Sequence, residues 1–308
     1  MYVGRFAPTP SGPLHFGSLV TAVGSYLDAR SKNGKWLIRI DDLDQDRTVK
    51  GADSNILRML DSYALYWDDR PIYQSKHKLM YDSWQHKLKK ELDIYPCVCS
   101  RKAIREHSTP QGDELIYSGY CKTNSTKNKL IRSYRIDLRQ PCTVSIDDAA
   151  LGSITDDLSK SSGDFAVFKP DATVSYQLAS VLDDHHTGIT HIVRGEDLLL
   201  SSLRQRELQR ILGHRTPKFL HLPLVKNKEG QKLSKQNKAE SIKLELASST
   251  LFNALTFLSQ SPPIGLKNEN PRDIISWAVE NWKISNISSK RDDVKAEEVT
   301  QSTHNQVD

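Results

Sequence analysis

The sequence predicts an α/β protein built on a parallel sheet, because strand-like and helical patterns alternate in two separate parts of the chain. Short apolar runs typical of buried strands alternate with amphipathic helical patterns through residues 1–92, and the same alternation returns after residue 172. The chain has 308 residues, of which 37% are hydrophobic, so it can bury one large core or two smaller ones. Its composition therefore excludes global disorder and a disulfide-dependent miniprotein.

The first half of the predicted sheet occupies residues 1–92. Apolar residues recur at helical spacing from Phe16, which predicts a helix over about residues 16–31. The run 36–40 predicts a buried strand that ends in a carboxylate cluster beginning at Asp41. The alternating order continues with a second helical pattern at 56–60, a short extended piece at 72–73 and a lysine-rich helix at 77–92.

The alternating order breaks near residue 95 and returns about 75 residues later. Residues 93–171 contain period-two segments, which predict antiparallel strands of a separate insertion. Residues 172–235 predict the second half of the sheet, with a strand at 190–193, a helix at 197–212 and an apolar run at 219–225. We expect a short helical region over 236–284. Residues 285–308 lack aromatic residues and predict a disordered tail.

Charge and hydropathy limit the classes of partner. The chain carries 43 basic and 38 acidic side chains, a formal charge of +5, which permits a nucleic acid partner without requiring one. No stretch approaches the ~18 apolar residues of a membrane span, and the N-terminus lacks the pattern of a signal peptide. We therefore expect a cytoplasmic protein that binds no membrane. Separately, we expect it to be a monomer.

A rigid Pro/Gly loop, residues 8–14, leads into the first predicted helix. The chain contains neither a Walker loop nor a G-x-G-x-x-G motif. Free N–H groups at the start of this helix favour an anion there, His15 can donate a hydrogen bond to a phosphate, and Gly17 allows close approach of a nucleotide. The alternative is a proline-rich loop with an incidental histidine.

A second candidate nucleotide-binding element comes more than 200 residues later. Lys232 and Lys235 flank Ser234 in a polar loop, and two ammonium groups can neutralise a triphosphate as pyrophosphate departs. The alternative is a solvated surface loop.

Taken together, the two elements resemble the paired ATP motifs of class I aminoacyl-tRNA synthetases. Residues 15–18, His-Phe-Gly-Ser, match the HIGH-type motif, and residues 232–235, Lys-Leu-Ser-Lys, match the KMSKS-type motif. Residues 5–12, 39–44 and 192–198, with Tyr176, are similar to the glutamate-site blocks of glutamyl-tRNA synthetases. The resemblance implies a Rossmann-type parallel sheet with an inserted zinc-bearing domain and a short helical C-terminal part.

The resemblance also implies roles for individual residues. Arg5 and Arg194 would bind carboxylates of L-glutamate and Asp41 its ammonium group, while Ala7, Thr9 and Tyr176 would shape the pocket. The family usually has glutamate where this chain has Asp41, so this contact would run through water or need an inward backbone shift. The catalytic residues would be His15 and Lys235. The residues implied for ATP, with Mg²⁺ on its phosphates, are Pro8, His15, Gly17, Ser18, Lys232, Ser234 and Lys235.

Other roles for three of these residues follow from the residue types alone. In these alternatives, Arg5 forms an ion pair on the surface, Asp41 caps a following helix, and Tyr176 is a core aromatic residue without a role in binding.

The acceptor is inferred from the chain length. Only 73 residues follow Lys235, too few for the anticodon-binding region of glutamyl-tRNA synthetases. The chain therefore resembles short paralogues that activate glutamate and transfer it to queuosine in tRNA(Asp), and we expect Arg204, Arg206 and Arg210 to bind the anticodon stem. The alternatives are a truncated enzyme that charges the 3′ adenosine and a non-catalytic tRNA-binding paralogue.

Cysteines form a second candidate site. Cys97, Cys99 and Cys121, with Tyr117, place three thiols and a phenol within 25 residues, a spacing that fits a tetrahedral ion such as Zn²⁺ and equally fits buried free thiols. The resemblance implies the same order of ligands, in a structural role. His107 and Cys142 are alternatives to Tyr117 as the fourth ligand.

Overall fold

The computed structural model describes residues 1–91, 93–111, 114–171, 173–226 and 241–287. Its strands are β1 Val3–Phe6, β2 Lys35–Ile40, β3 Ile72–Tyr73, β4 Ile94–Cys97, β5 Ser108–Gln111, β6 Glu114–Tyr117, β7 Ser133–Ile136, β8 Thr143–Asp148, β9 Gly152–Asp157, β10 Ala166–Phe168, β11 His191–Gly195 and β12 Lys218–Leu222. Its helices are α1 Phe16–Arg30, α2 Ala52–Ser62, α3 Lys78–Glu91, α4 Arg101–Glu106, α5 Tyr120–Thr123, α6 Leu158–Ser161, α7 Tyr176–His186, α8 Leu199–Ile211, α9 Ala247–Phe257 and α10 Pro271–Asn281.

Parallel strands form the centre of the molecule, which confirms the predicted α/β class. Strands β1, β2 and β3 pair in parallel, as do β11 and β12. The two groups lie side by side, because the backbone N–H of Thr190 donates to the Val3 carbonyl at 2.9 Å. Helix α1 packs closely on β12, since a Cβ added at Gly24 would lie 2.6 Å from Leu222 Cδ1. Strand ends from both halves of the chain therefore meet at one edge.

The predicted boundary of the insertion is wrong for residues 143–157. Strand β8 pairs in parallel with β12 and antiparallel with β9, so this hairpin extends the parallel sheet. The rest of the segment forms a separate antiparallel sheet of β10, β7 and β4, and a β5–β6 hairpin. Period-two alternation is the same in both sheets, so the sequence pattern could not assign the hairpin to the central sheet.

Asp148 fixes the extra hairpin to the central sheet. Its buried carboxylate accepts from His221 N at 2.9 Å and lies 2.7 Å from His221 Nδ1, and it also accepts from the N–H groups of Ala150 and Leu151. Burial alone would raise the pKa of the Asp148 carboxyl, but these hydrogen bonds hold it below its ordinary value. The carboxylate is therefore ionised at neutral pH.

We expect Asp148→Asn to lower the free energy of unfolding by about 2 kcal/mol at pH 7, because hydrogen bonds to a buried charge are lost. Urea unfolding measures the change, with the exposed neighbour Asp147→Asn as the control. A folded-state pKa below the unfolded value stabilises at neutral pH, and this contribution disappears as the pH falls through the folded value. Equal stability of the two variants at pH 7 would contradict this role.

The C-terminal residues of the described chain pack on the first half. Helices α9 and α10 bury Leu251, Leu255 and Ile274 in the same core as α1. Ile287 is also buried there, after a 3-10 turn at Ile284–Asn286. The predicted start of the tail at residue 285 is therefore wrong, because one isolated apolar residue finds a site on the core. Residues 288–308 lie outside the described residues. None of the helices described is long and apolar enough to cross a membrane.

Candidate active site

A cavity of about 820 Å³ opens where the parallel strands end. Its walls come from residues that follow β1, β2, β11 and β12, which is where ligands bind in open α/β sheets. The structure brings together the described residues that the sequence implied for glutamate and ATP: Arg5, Ala7, Pro8, Thr9, His15, Gly17, Ser18, Asp41, Tyr176 and Arg194. The other three, Lys232, Ser234 and Lys235, lie outside the described residues.

His15 is the N-cap of α1, at one end of the cavity. Its Nδ1 accepts from the Ser18 N–H at 3.3 Å, and its Nε2 lies 2.9 Å from Ser18 Oγ. These contacts orient the ring. The first turn of α1 carries no acidic residue, and Gly17 lines the cavity beside it. The positive end of the helix is therefore open to an anion.

The described residues on either side of the lysine-containing segment lie at the cavity or beside His15. Val225 lines the cavity shortly before the segment starts. After it, Ser241 forms a β-bridge with His15, and the Ile242 N–H donates to the Leu14 carbonyl at 3.1 Å. The described residues that follow this segment are therefore adjacent in space to the His15 element, although more than 200 residues separate them in the sequence.

Arg194 supplies buried cationic donors to the cavity. Its side chain lines the cavity, and its Nη2 donates to Gln205 Oε1 at 2.7 Å. Its Nε and Nη1 are buried and have no hydrogen-bond partner within the part of the chain that the structure describes. Burial lowers the pKa of this guanidinium to about 10, so it stays protonated at neutral pH. Such a group is well suited to bind an anionic ligand.

Arg5 and Asp41 belong to one buried ion-pair network. Arg5 Nε lies 3.2 Å from Asp184 Oδ1, and Arg39 joins the network by pairing with Asp184 at 2.6 Å and with Asp41 at 2.7 Å. All four side chains are buried. A surface pair for Arg5 is therefore ruled out. Asp41 caps no described helix, since Gly51 is the N-cap of α2.

The sequence reasoning missed Arg39 and Asp184. A usable signal was present, because Asp183 and Asp184 interrupt the apolar face of α7, where an unpaired acid would be costly. Burial alone would raise the pKa of the Asp184 carboxyl, but the guanidinium groups of Arg5 and Arg39 hold it below its ordinary value. Asp184 is therefore ionised and positions both arginines.

Tyr176 is the first residue of α7, and Ser175 is the N-cap of that helix. The tyrosine is 45% exposed and lines the cavity. A core role is therefore excluded, and the ring forms a cavity wall.

A second, smaller group lies in the antiparallel part of the molecule. The sulfur atoms of Cys97, Cys99 and Cys121 all lie within 4.8 Å of one another. The Tyr117 hydroxyl oxygen lies 3.6 Å from Cys97 Sγ and 3.4 Å from Cys99 Sγ, and it accepts from the Cys121 N–H at 3.0 Å. All four side chains are buried. The four residues that the sequence predicted as ligands therefore lie around one point.

The two alternative fourth ligands do not join this group. His107 stacks on Tyr120 with ring centroids 3.8 Å apart, and Cys142 is buried in a different core. Within the described ranges, neither belongs to a group of ligand atoms with the three thiols. Tyr117 is therefore the candidate that the geometry favours.

The donor set fits a thiophilic divalent ion. All four cysteines are free thiols. Burial alone would raise the pKa of the Cys97 thiol, but hydrogen bonds from the Arg135 side chain and the Cys99 backbone lower it to about 7. Burial raises the pKa of the Tyr117 phenol, so the phenol would ionise only against a cation. Three sulfur atoms and one oxygen suit a tetrahedral site.

The expected phosphate-binding arginines on α8 are partly engaged within the chain. Arg204 Nε donates to Ser162 Oγ at 2.7 Å, and Arg210 Nη2 pairs with Glu207 at 2.6 Å. The helical pattern alone could not reveal these partners. Two of the three arginines are therefore weaker candidates for nucleic acid contacts than the sequence indicated.

Known proteins are similar to this chain in sequence and in fold. Residues 2–296 match the family model for the catalytic domain of class I tRNA synthetases (E and Q). A glutamyl-Q tRNA(Asp) synthetase from Aromatoleum aromaticum is 41% identical over 93% of this chain and 90% of its own length. One from Dechloromonas aromatica is 42% identical over 91% and 94%.

Among solved structures, a glutamate tRNA ligase from Elizabethkingia meningosepticum, in complex with its amino acid, superposes with a TM-score of 0.79. The match covers 97% of this chain and 68% of the other, at 23% identity, and therefore shows the fold alone. The sequence matches identify more: the chain belongs to the class I tRNA synthetases and, within them, to the glutamyl-Q tRNA(Asp) synthetase family.

Proposed function

We propose that this protein is a ligase that activates L-glutamate with ATP and transfers the glutamate to queuosine in the anticodon of tRNA(Asp). The observation that carries the activation step is Arg194, a buried cation with unpartnered donors, in the same cavity as the open N-terminus of α1. One cavity can thus hold a carboxylate beside a phosphate. The names of the relatives support the acceptor. A cytoplasmic location and a monomeric state belong to the same proposal.

In this proposal, glutamate occupies the inner part of the cavity. Arg194 and Arg5 bind its carboxylates, and Ala7, Thr9 and Tyr176 shape the walls. The substrate ammonium group binds near Asp41. Because Arg39 already donates to both Asp41 oxygens, at 2.7 and 3.3 Å, the ammonium shares that carboxylate or reaches it through water.

The first chemical step needs no nucleophile from the protein. A glutamate carboxylate oxygen attacks the α-phosphorus of ATP in line, and the bond to pyrophosphate breaks, which leaves glutamyl-adenylate. His15 and the α1 N-terminus orient the phosphates, with Pro8, Gly17 and Ser18 beside the nucleotide. Lys232, Ser234 and Lys235 are assigned to the departing pyrophosphate. Bound Mg²⁺ would neutralise phosphate charge.

The second step transfers the glutamyl group. A hydroxyl of the queuosine cyclopentene ring attacks the adenylate carbonyl and an ester bond forms. AMP leaves with the electron pair of the broken bond, and the hydroxyl proton passes to the departing phosphate or to solvent. The cavity opens to solvent at Asp44, Arg47 and Lys169, which leaves room for an extruded base to enter.

An acceptor assay tests the proposed function. A short anticodon stem-loop of tRNA(Asp) that carries queuosine should accept labelled glutamate in the presence of ATP, whereas unmodified tRNA(Asp) and tRNA(Glu) should not. Labelling of tRNA(Glu) at its 3′ adenosine would instead identify a truncated glutamyl-tRNA synthetase. Absence of glutamate-dependent ATP–pyrophosphate exchange would identify a non-catalytic tRNA-binding paralogue.

We also propose that Cys97, Cys99, Tyr117 and Cys121 hold one structural Zn²⁺. Support comes from their convergence, their burial and the softness of three thiolates. The ion would tie β4, β6 and α5 together, and so stabilise the part of the chain outside the central sheet.

Metal analysis of single variants tests the zinc proposal. We expect about one zinc per chain in the wild-type protein, loss of zinc in Cys99→Ser, and retention in Cys142→Ser, whose thiol is also buried but lies in another core. The melting temperature should fall on chelation in the wild type and in Cys142→Ser, but not in Cys99→Ser. Equal zinc content in both variants would contradict the ligand assignment.

A further inference from the structure

Arg135 is a buried cation beside the cysteine group. It lies on β7, in register with Tyr95 of β4, the strand that ends at Cys97. Its Nε donates to Cys97 Sγ at 3.3 Å, and its Nη1 donates to the Asp164 carbonyl at 2.7 Å. Its guanidinium carbon lies 4.0 Å from the centroid of the Tyr117 ring. One side chain therefore contacts two of the proposed zinc ligands.

Among the residues that the structure describes, Arg135 forms its hydrogen bonds with a sulfur atom and a backbone carbonyl rather than with a carboxylate. The carboxylate of Asp164 accepts from the Tyr95 hydroxyl at 2.7 Å and from the Leu138 N–H at 2.9 Å, and Asp164 contacts Arg135 through its backbone carbonyl instead. A buried arginine without an anionic partner is costly. The groups that can supply the missing negative charge are the thiols and phenol that it contacts.

The charge of a loaded centre has the sign that Arg135 requires. Three thiolates and one phenolate carry four negative charges, and a divalent ion cancels two of them. The remaining charge is buried and needs a cation nearby. Arg135 donates a hydrogen bond to a ligand sulfur and lies over the electron-rich face of the ligand ring, where a cation is attracted.

We propose that Arg135 is the built-in counter-charge of the metal centre, and that it holds the Cys97 and Tyr117 ligands in position for a divalent ion. The inference rests on the proposed zinc site but assigns a residue outside the ligand set. It is a positioning role, since Arg135 binds no metal itself. Contacts of this kind to the ligands typically change metal affinity about 10–100-fold.

Metal release distinguishes this role from simple packing. The zinc-loaded Arg135→Gln variant should release its ion to a chromogenic chelator at a rate at least about tenfold higher than that of the wild type. Arg135→Lys retains the charge without the planar fork and should fall between them. The control is Arg132→Gln, an exposed arginine on the same segment, which should release zinc at the wild-type rate.

Thermal unfolding provides a second test, because a residue that only packs should affect the zinc-loaded and the metal-free protein equally. If Arg135 balances the loaded centre, Arg135→Gln should lower the melting temperature of the zinc-loaded protein more than that of the metal-free protein. Equal lowering of both, or wild-type release rates in Arg135→Gln, would overturn the inference. If the wild type holds no zinc, the proposed site itself fails, and the inference falls with it.

Discussion

Replacing Arg194 by glutamine should lower kcat/KM for glutamate in ATP–pyrophosphate exchange by roughly two to three orders of magnitude. The substrate carboxylate would lose a charged partner in a buried site, and truncating one side of such a pair costs about 2–5 kcal/mol. The two free donors of Arg194 face no other acceptor in the part of the chain described, so no neighbour can replace them.

Two separate titrations and a control variant make the Arg194 experiment specific. The exchange assay is run without tRNA, with glutamate and ATP varied separately, because loss of a glutamate contact should leave the KM for ATP nearly unchanged. Arg70→Gln, an exposed arginine outside the cavity, is the control and should match the wild type. An Arg194→Gln defect confined to the KM for ATP would contradict the assignment.

The sequence predicted most of the fold because hydrophobic periodicity is a local property. Helix α1 and strand β2 were expected at 16–31 and 36–40 and occur at Phe16–Arg30 and Lys35–Ile40. Strand β8 was misassigned to the insertion because its partner, β12, lies about 70 residues further along the chain. Pairing between such distant strands leaves no local signal.

The same distinction applies to the site. His15 and the cysteines could be named from motif spacing, and Arg194 from the resemblance to glutamyl-tRNA synthetases. Arg39 and Asp184 could not be assigned, because their importance lies in partners 145 residues apart in the sequence. The amino-acid sequence indicates that a buried acid needs a partner, but only the fold shows which arginine it contacts.

Asp184→Asn should both destabilise the protein and weaken glutamate binding. Asp184 is the shared acceptor of Arg5 and Arg39, so its neutral analogue leaves two buried guanidinium groups with less counter-charge. Breaking a buried pair in this way costs about 3–5 kcal/mol of unfolding free energy. Freed from Asp184, Arg5 would lose its fixed position, and the KM for glutamate should rise about tenfold at temperatures where the variant stays folded.

The pH dependence of stability separates this charge effect from packing. The folded-state pKa of Asp184 lies below the unfolded value of about 3.9, so its contribution is complete above about pH 5 and is lost as the pH falls through the folded value. Urea unfolding should therefore show a constant difference between the wild type and Asp184→Asn from pH 8 to about 5, and a shrinking one below about 4. Asp164→Asn, which removes a buried carboxylate away from the cavity, should lower stability without changing the KM for glutamate. If Asp184→Asn raised that KM no more than Asp164→Asn does, Arg5 would not depend on Asp184, and the ion-pair network would serve stability alone.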